Sequence, residues 1–427
     1  MEVITLKKYK EILVKLKKTG FFSIVISSVF SKVIVFLGGI LIVRLLSQDD
    51  YANYTLIINA FSILSILGDW GASSATLQFM SEENNNKEKA EVFLKFGVKI
   101  TILSAIISGI LIFCSKLYYP FKNETVANLT TLLFLVPILT FTINLISNIL
   151  RAKKENHKFS LFQVLSIIIH YLVIIPLTLL FGLFGSIISQ YIYNILILIL
   201  GIFIVKKVVS KSNDTGKVSK SEKKSFLKFA MGSQINNSIS NLLYTIDIFT
   251  IGLLVANSSD LAIYKVSTII PSALSFLPYC FIIYIFPYFV EHNKNKSWLS
   301  SKLKDIIKYG AFIYGIISIL LMFSSYYLIL WLYGPEYLGA VLPFNILIIG
   351  FFFMATVTIP TLHVIHSMRK VKINILINII SIVLNFVFNI IFISLWGIIG
   401  AAVATALVKF IMSIISLLYA RKYLKND

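Results

Sequence analysis

The chain of 427 residues has little acid, almost no cysteine and no recognisable nucleotide motif. It carries 19 aspartates and glutamates against 39 lysines and arginines, for a net charge of +20. A basic balance can mark a nucleic-acid binder, but that needs the charge gathered on one face or stripe. Here the basic residues sit in short segments between long apolar runs, so nucleic acid is not an expected partner. The two cysteines, Cys114 and Cys280, lie in separate apolar runs, which leaves packing and excludes a disulfide framework or a cysteine metal site. No G-x-x-x-x-G-K-[ST] loop occurs, so nucleotide hydrolysis by that route is excluded. "HVIH" (363–366) has no nearby carboxylate or cysteine and makes a weak metal pair. No A-x-A-like site follows the basic start "MEVITLKKYKEILVKLKKTG". It reads as an uncleaved amphipathic helix on the inner membrane surface rather than a signal peptide.

What the chain does have is apolar length. Hydrophobic residues make up 57% of it, in repeated runs that mostly exceed the roughly 18 residues needed to cross a bilayer. The alternating ten-residue pattern of a membrane β-barrel is missing. The expected fold is an all-α polytopic membrane protein. Spans are expected at about 20–46, 52–80, 94–115, 126–150, 159–181, 184–205, 226–255, 260–289, 306–332, 338–365, 371–394 and 397–420. With the N-terminus inside, 32 of the 39 lysines and arginines fall in inner segments, at 1–19, 87–95, 151–158, 206–228, 294–308, 369–372 and 421–425. The positive-inside rule therefore places both termini in the cytoplasm. The outer connections, such as "SQDDY", "ANSSD" and "YGPEY", are too short for a catalytic domain.

The longest inner connection has linker composition and divides the chain into a six-helix bundle over 1–205, a cytoplasmic linker over 206–225 and a second bundle over 226–427. The halves share landmarks. "DYANY" (50–54) and "DLAIY" (260–264) both read D-x-A-x-Y, "GLFG" (182–185) and "GIIG" (397–400) open the last span of each half, and Arg151 and Arg369 close the fourth. These point to a parallel repeat, the arrangement in which substrates bind between halves near the midplane.

"SSVFSKVIVFLGGILIV" (27–43) sets Lys32 within a membrane helix. A lysine at the centre of such a helix costs roughly 2.5–3.5 kcal/mol on insertion scales, so intramembrane ionisable groups normally face a bundle interior or watery cavity. The others are Asp69, Lys99, His170, Asp247, Lys265 and Lys409. Lys99, Lys265 and Arg44 lie near helix ends, where snorkelling explains them singly. Lys32 and Lys409 lie deeper, and a cavity role is the better account. Asp69 and Asp247 are open between ion coupling and structural ion pairs, and His170 reads as a hydrogen-bonded interior residue. Asn374, Asn378, Asn385 and Asn389 are expected to hydrogen-bond between helices, or to wall a polar cavity. Pro271, Pro278 and Pro287 make the eighth span the candidate hinge, since proline removes a helix hydrogen bond. Tyr51, Tyr54, Tyr118, Tyr119, Trp331, Tyr333 and Tyr337 gather at outer ends as an interfacial belt, with sugar stacking as the functional alternative.

Several of these stretches resemble a known family. "VRLLSQDDYANYTLI" (43–57), "LGDWGASSATLQF" (67–79), "DIFTIGLLVANSSDLAIY" (247–264) and "WLYGPEYLGA" (331–340) are similar to segments of the polysaccharide repeat-unit (O-antigen or capsule) flippases, within the multidrug/oligosaccharidyl-lipid/polysaccharide exporter superfamily. Ala52 and Ala262 stand where that family often has glycine, and Ile248 where an arginine often follows the aspartate. The resemblance implies a MATE-like fold in the bacterial inner membrane, without catalysis or a resident cofactor. It implies flipping of a polyprenyl-pyrophosphate-linked oligosaccharide to the outer leaflet by alternating access, with coupling to H+ or Na+ open. Partners would be that glycan lipid, membrane lipids and glycan polymerase machinery. Lys32, Lys409, Arg44, Lys99 and Lys265 would then face the pyrophosphate. The alternatives are a cation-coupled multidrug exporter of the same fold, a cell-wall precursor flippase, and a membrane glycan polymerase or acyltransferase.

Overall fold

The computed structural model describes residues 21–83, 86–117, 123–207, 218–255, 257–368 and 370–424. The amphipathic helix expected over 1–20, Tyr118, Tyr119, Arg369 and residues 208–217 of the 206–225 connection lie outside these residues. Helices follow in the order α1 (Phe21–Leu45), α2 (Gln48–Leu64), α3 (Ala72–Glu82), α4 (Lys87–Phe113), α5 (Glu124–Leu132), α6 (Val136–Ala152) and α7 (Asn156–Lys206). They continue with α8 (Lys220–Leu254), α9 (Ser258–Leu274), α10 (Phe276–Glu291), α11 (Lys296–Tyr333), α12 (Val341–Phe353), α13 (Ile359–Ser367) and α14 (Val371–Leu424). Among the described residues there is no strand, and eight helical stretches are long and apolar enough to cross a membrane.

Two of those stretches hold two spans each. Helices α7 and α14 run for 51 and 54 residues, more than twice what a hydrocarbon core of about 30 Å needs at 1.5 Å per residue. Each folds back at one glycine, Gly182 (φ 56°, ψ −136°) and Gly397 (φ 57°, ψ −136°), in a conformation that side-chain-bearing residues rarely adopt. The arms then pack on each other, Phe162 with Ile197 in α7 and Ile377 with Val408 and Met412 in α14. The next glycine in each turn lets the arms close. A Cβ on Gly185 would meet Leu177 O at 1.9 Å, and one on Gly400 would meet Phe392 O at 1.9 Å. Equal torsions and equal contacts 215 residues apart identify one hairpin built twice. With the interrupted pair α2–α3 and with α8, the described residues make twelve spans in a parallel repeat.

The D-x-A-x-Y landmarks open α2 and α9. Ala52 and Ala262 are both 0% exposed, so each position requires a small side chain. Asp49, in the first turn of α2, accepts hydrogen bonds from the hydroxyls of Ser258 (2.6 Å) and Ser259 (3.3 Å) in the first turn of α9.

The helices gather into two compact units that are not consecutive in sequence. One contains the described part of Met1–Leu45 with Leu64–Ser238, and the other Leu46–Ile63 with the described part of Ile239–Asp427. Division by packing thus follows a different line from division at the 206–225 connection, because α8 is shared. Its first half carries Phe226 and Ala230, which are buried with Ala72, Ala75 and Phe93, and the Phe93 and Phe226 rings stack at 6.0 Å. Ser219 and Glu222 form a capping box, Ser219 N donating to Glu222 Oε2 (2.8 Å) and Glu222 N to Ser219 Oγ (3.2 Å). Lys89 at the start of α4 then pairs with both Glu222 (2.6 Å) and Glu83 (2.7 Å). The core of the other unit includes Phe289, Leu299, Leu303 and Val364.

Candidate functional site

A polar cluster among the described residues of the spans centres on Asp247, in the second half of α8. Its carboxylate accepts from Asn389 Nδ2 (2.8 Å), the Tyr264 hydroxyl (2.9 Å) and the Thr405 hydroxyl (2.7 Å). Asn389 also donates to Asn385 Oδ1 (2.8 Å), and Asn385 Nδ2 lies 3.4 Å from Thr405 Oγ1. The α14 hairpin explains why these groups meet. Asn385 and Asn389 lie four residues apart and share a face of the first arm, and Thr405 and Lys409 do the same on the second. Gly397 is eight residues from both Asn389 and Thr405, so the turn brings the two pairs level. Tyr264 and Asn389 are 0% and Asn389 Oδ1 is a buried acceptor without a hydrogen-bond partner among the described residues.

Lys409 is half-buried one turn beyond Thr405 on the same arm. Its surroundings are irregular in a way that makes room for it. A Cβ on Gly350 would meet Lys409 Cδ at 3.1 Å and Ala406 Cα at 3.0 Å. Between α12 and α13 the chain makes a π-turn at Met354–Thr358, a widening often found at functional sites. The Ser413 hydroxyl fits against it, 3.1 Å from Phe353 O, 2.9 Å from Thr358 Oγ1 and 2.8 Å from Lys409 O.

Asp69, in the other unit, has a local role that neither expected reading contained. The span is unwound between α2 and α3, with positive φ at Gly68 (48°), Trp70 (53°) and Gly71 (77°). The Asp69 carboxylate caps the new helix, accepting from Gly71 N (3.1 Å), Ser73 N (2.8 Å) and the Ser73 hydroxyl. Helix α8 covers the break. Gln234 Nε2 (3.0 Å) and the Ser238 hydroxyl (2.6 Å) both donate to Ile66 O, and a Cβ on Gly71 would strike Ala230 O at 2.0 Å.

The five expected cations divide between the units. Lys32, Lys99 and Arg44 are exposed residues of the first, and Lys265 and Lys409 half-buried residues of the second. Lys32 is the twelfth of the 25 residues of α1, near its middle, and no ion pair involves it among the described residues. The eighth span is discontinuous: α9 ends at Leu274 and α10 begins at Phe276, with Pro271 and Pro278 on either side and Pro287 further along α10. Pro278 cannot donate to the Leu274 carbonyl four residues back, which accounts for the interruption there. His170 packs edge-on between the rings of Tyr171 (4.8 Å) and Tyr193 (4.3 Å). His363 Nδ1 lies 2.8 Å from Ile359 O, and no group of three metal-ligating side chains occurs among the described residues. The aromatic belt needs correction. Trp331 is 72% exposed, but Tyr51, Tyr333 and Tyr337 are buried and serve as packing.

Sequence reasoning had marked Asp247, Lys409, Asn385 and Asn389 but had not joined them, and it missed Tyr264 and Thr405 as members. The available signal was two polar i, i+4 pairs placed symmetrically about a glycine turn.

A family model described as polysaccharide biosynthesis protein matches residues 40–342. The chain belongs to that family. The chain is similar to the inward-facing conformation of a multidrug resistance MATE family transporter of the MOP superfamily, at 13% identity over 92% of this chain and 94% of that one, with a TM-score of 0.77. It is also similar to the lipid II flippase MurJ in an inward closed conformation, at 19% identity over 94% and 87%, with a TM-score of 0.73. A MOP superfamily transporter from Pyrococcus furiosus matches at 13% identity over 95% of each chain, with a TM-score of 0.66. These likenesses establish the MATE-like fold of a multi-pass membrane protein. Compared by sequence with curated proteins, the chain has no match.

Proposed function

We propose that this protein flips a polyprenyl-pyrophosphate-linked oligosaccharide from the cytoplasmic to the outer leaflet, by alternating access, in the bacterial inner membrane with both termini in the cytoplasm. The observation that carries the reading is Lys32, an exposed ammonium near the middle of a membrane helix in a member of the polysaccharide biosynthesis family. Facing hydrocarbon, it would be costly. Facing a water-filled path, it attracts a diphosphate more strongly than a cation in bulk water does, because the local dielectric is lower. Lys409, Arg44, Lys99 and Lys265 are further candidate contacts along the path, and the lipid tail stays in the bilayer. Helices α9 and α10, bent about Pro271 and Pro278 and including Pro287, are the candidate hinge. A glycan polymerase is the expected downstream partner.

Coupling to a cation gradient is assigned in this proposal to Asp247 rather than Asp69. The Asp69 carboxylate is occupied as a helix cap. The Asp247 cluster offers only oxygen donors, from a carboxylate, the amides of Asn385 and Asn389 and the Thr405 hydroxyl, which suits a hard cation such as Na+ or a proton on the carboxylate.

The test is a lipid extract from cells lacking the gene, analysed by mass spectrometry for polyprenyl-linked glycans. Accumulation of a complete repeat unit on its carrier, reversed by the intact gene, is expected and would identify the sugar. An unchanged lipid profile with new sensitivity to toxic cations would overturn the proposal in favour of a drug exporter.

A further inference from the structure

The first half of α8 has two faces of opposite kind. Glu222, Phe226, Ala230 and Gln234, each four residues from the next, hold one face to the rest of the same unit. Glu222 pairs with Lys89 (2.6 Å), Phe226 and Ala230 are buried, and Gln234 Nε2 donates to Ile66 O (3.0 Å). At 3.6 residues per turn, the opposite face carries Lys220, Lys224, Leu227, Lys228, Met231 and Ile235. All six are exposed, Met231 to 61% and Ile235 to 59%. None of the three lysines has an ion pair among the described residues. Lys223, between the two faces, instead lies 5.8 Å over the ring of Phe96.

Length sets this face at the edge of the membrane. The 35 residues of α8 extend about 52 Å at 1.5 Å per residue, whereas the hydrocarbon core is about 30 Å thick. The apolar stretch Thr245–Leu254 lies at the C-terminal end. The excess, roughly fifteen residues, therefore falls at the N-terminal end, in the headgroup layer and beyond it. The stripe changes character in step, with lysines outermost and Met231 and Ile235 where hydrocarbon begins.

We propose that this face of α8 is a binding site for anionic membrane phospholipids. The ammoniums of Lys220, Lys224 and Lys228 take the phosphate oxygens, and Leu227, Met231 and Ile235 lie along an acyl chain. Charge complementarity selects the occupant: the face holds three cations and no acid. A polybasic run beside a membrane helix concentrates anionic lipid, and a zwitterionic headgroup brings a cation of its own that competes with the lysines. The apolar continuation distinguishes a lipid from a soluble polyanion, which has nothing to set against Met231 and Ile235. Because the inner face is already fixed by Glu222, Phe226 and Gln234, the lysines project from a rigid element and no helix has to be ordered on binding. The site uses none of the five cations assigned to the diphosphate path, so its failure would leave the flippase reading as it stands.

The test uses the purified full-length protein in detergent, with bound lipid counted by native mass spectrometry. The probes are phosphatidylglycerol and phosphatidylcholine with identical acyl chains. The native protein is expected to bind phosphatidylglycerol more tightly. Changing Lys220, Lys224 and Lys228 together to Gln should weaken phosphatidylglycerol by about fivefold for each lysine and leave phosphatidylcholine unchanged. The matching triple change to Arg keeps the charge and should bind as the native protein does, which separates loss of charge from a folding defect. Met231→Ser with Ile235→Ser should weaken both lipids alike. As a control, Lys294, Lys304 and Lys308, exposed in the other unit, are changed to Gln together. Undiminished phosphatidylglycerol binding by the α8 Gln variant overturns the site, and so does an equal loss in the control, which would reduce the effect to net charge. Loss of phosphatidylglycerol binding in the Arg variant overturns the role of charge. Glycerol phosphate, the headgroup without chains, should not compete at the lipid's concentration, and equal competition would make this a site for free phosphate and overturn the lipid assignment.

Discussion

Individual residues carry the sharpest consequences. Lys32→Ala is expected to abolish transport while the protein still inserts and accumulates normally, as measured by complementation of a deletion strain with membrane fractions probed for the chain. Full transport would sink the role of Lys32. Gly400→Ala tests the hairpin instead. Its new methyl would overlap Phe392 O, and relief requires the arms of α14 to part. A loss of about 1–3 kcal/mol is expected, in the range of ordinary severe substitutions, read as a lower thermal midpoint in detergent. Gly185→Ala should behave alike, because the same contact recurs with Leu177 O. An unequal response would mean that the two turns are not equivalent in solution. Ala52 and Ala262 are legible in the same way: both stand where glycine is common in the family, and complete burial shows why nothing larger follows.

Elements decide the next level. Asp69→Ala should weaken the start of α3 by about 1 kcal/mol, the usual cost of losing a helix cap, without removing cation binding. Cation binding lost in Asp69→Ala but kept in Asp247→Asn would reverse the assignment of the coupling carboxylate. The N-terminal end of α8 makes a pH prediction. Hydrogen bonds from Lys89 first, and from Ser219, hold the Glu222 carboxyl down to about 2 from its ordinary 4.5. A depressed carboxyl contributes stability that is present above about 4.5 and is lost as pH falls toward 2. The native protein should therefore lose thermal stability between pH 5 and pH 2 more steeply than Glu222→Gln. Parallel curves would show that the Lys89 pair contributes nothing measurable, which is common for exposed ion pairs.

At the scale of the whole molecule, the spans were readable because bilayer thickness imposes a length on each apolar run. The repeat was readable at the glycine turns, where only glycine adopts the torsions shared by Gly182 and Gly397. The packing units were not. Sequence divides the chain at its polar connection, whereas Phe226 and Lys89 draw the first half of α8 into one unit and the rest of α8 packs in the other. The corresponding prediction is the lipid phenotype: deletion of the gene should raise the carrier-linked repeat unit, as measured by mass spectrometry of a lipid extract.

By itself the sequence determined that the protein is an α-helical membrane protein, how many times it crosses, which residues bring charge into the spans, and the family to which it belongs. Those properties depend on composition and on short-range spacing, which survive without knowledge of neighbours. Only the tertiary structure decided what the buried charges do. Asp69 and Asp247 are both intramembrane aspartates, yet one is consumed by the backbone of its own broken helix and the other meets side chains from α9 and both arms of α14. The difference lies in partners up to 158 residues away along the chain, and no local pattern records which of them a fold will bring into contact.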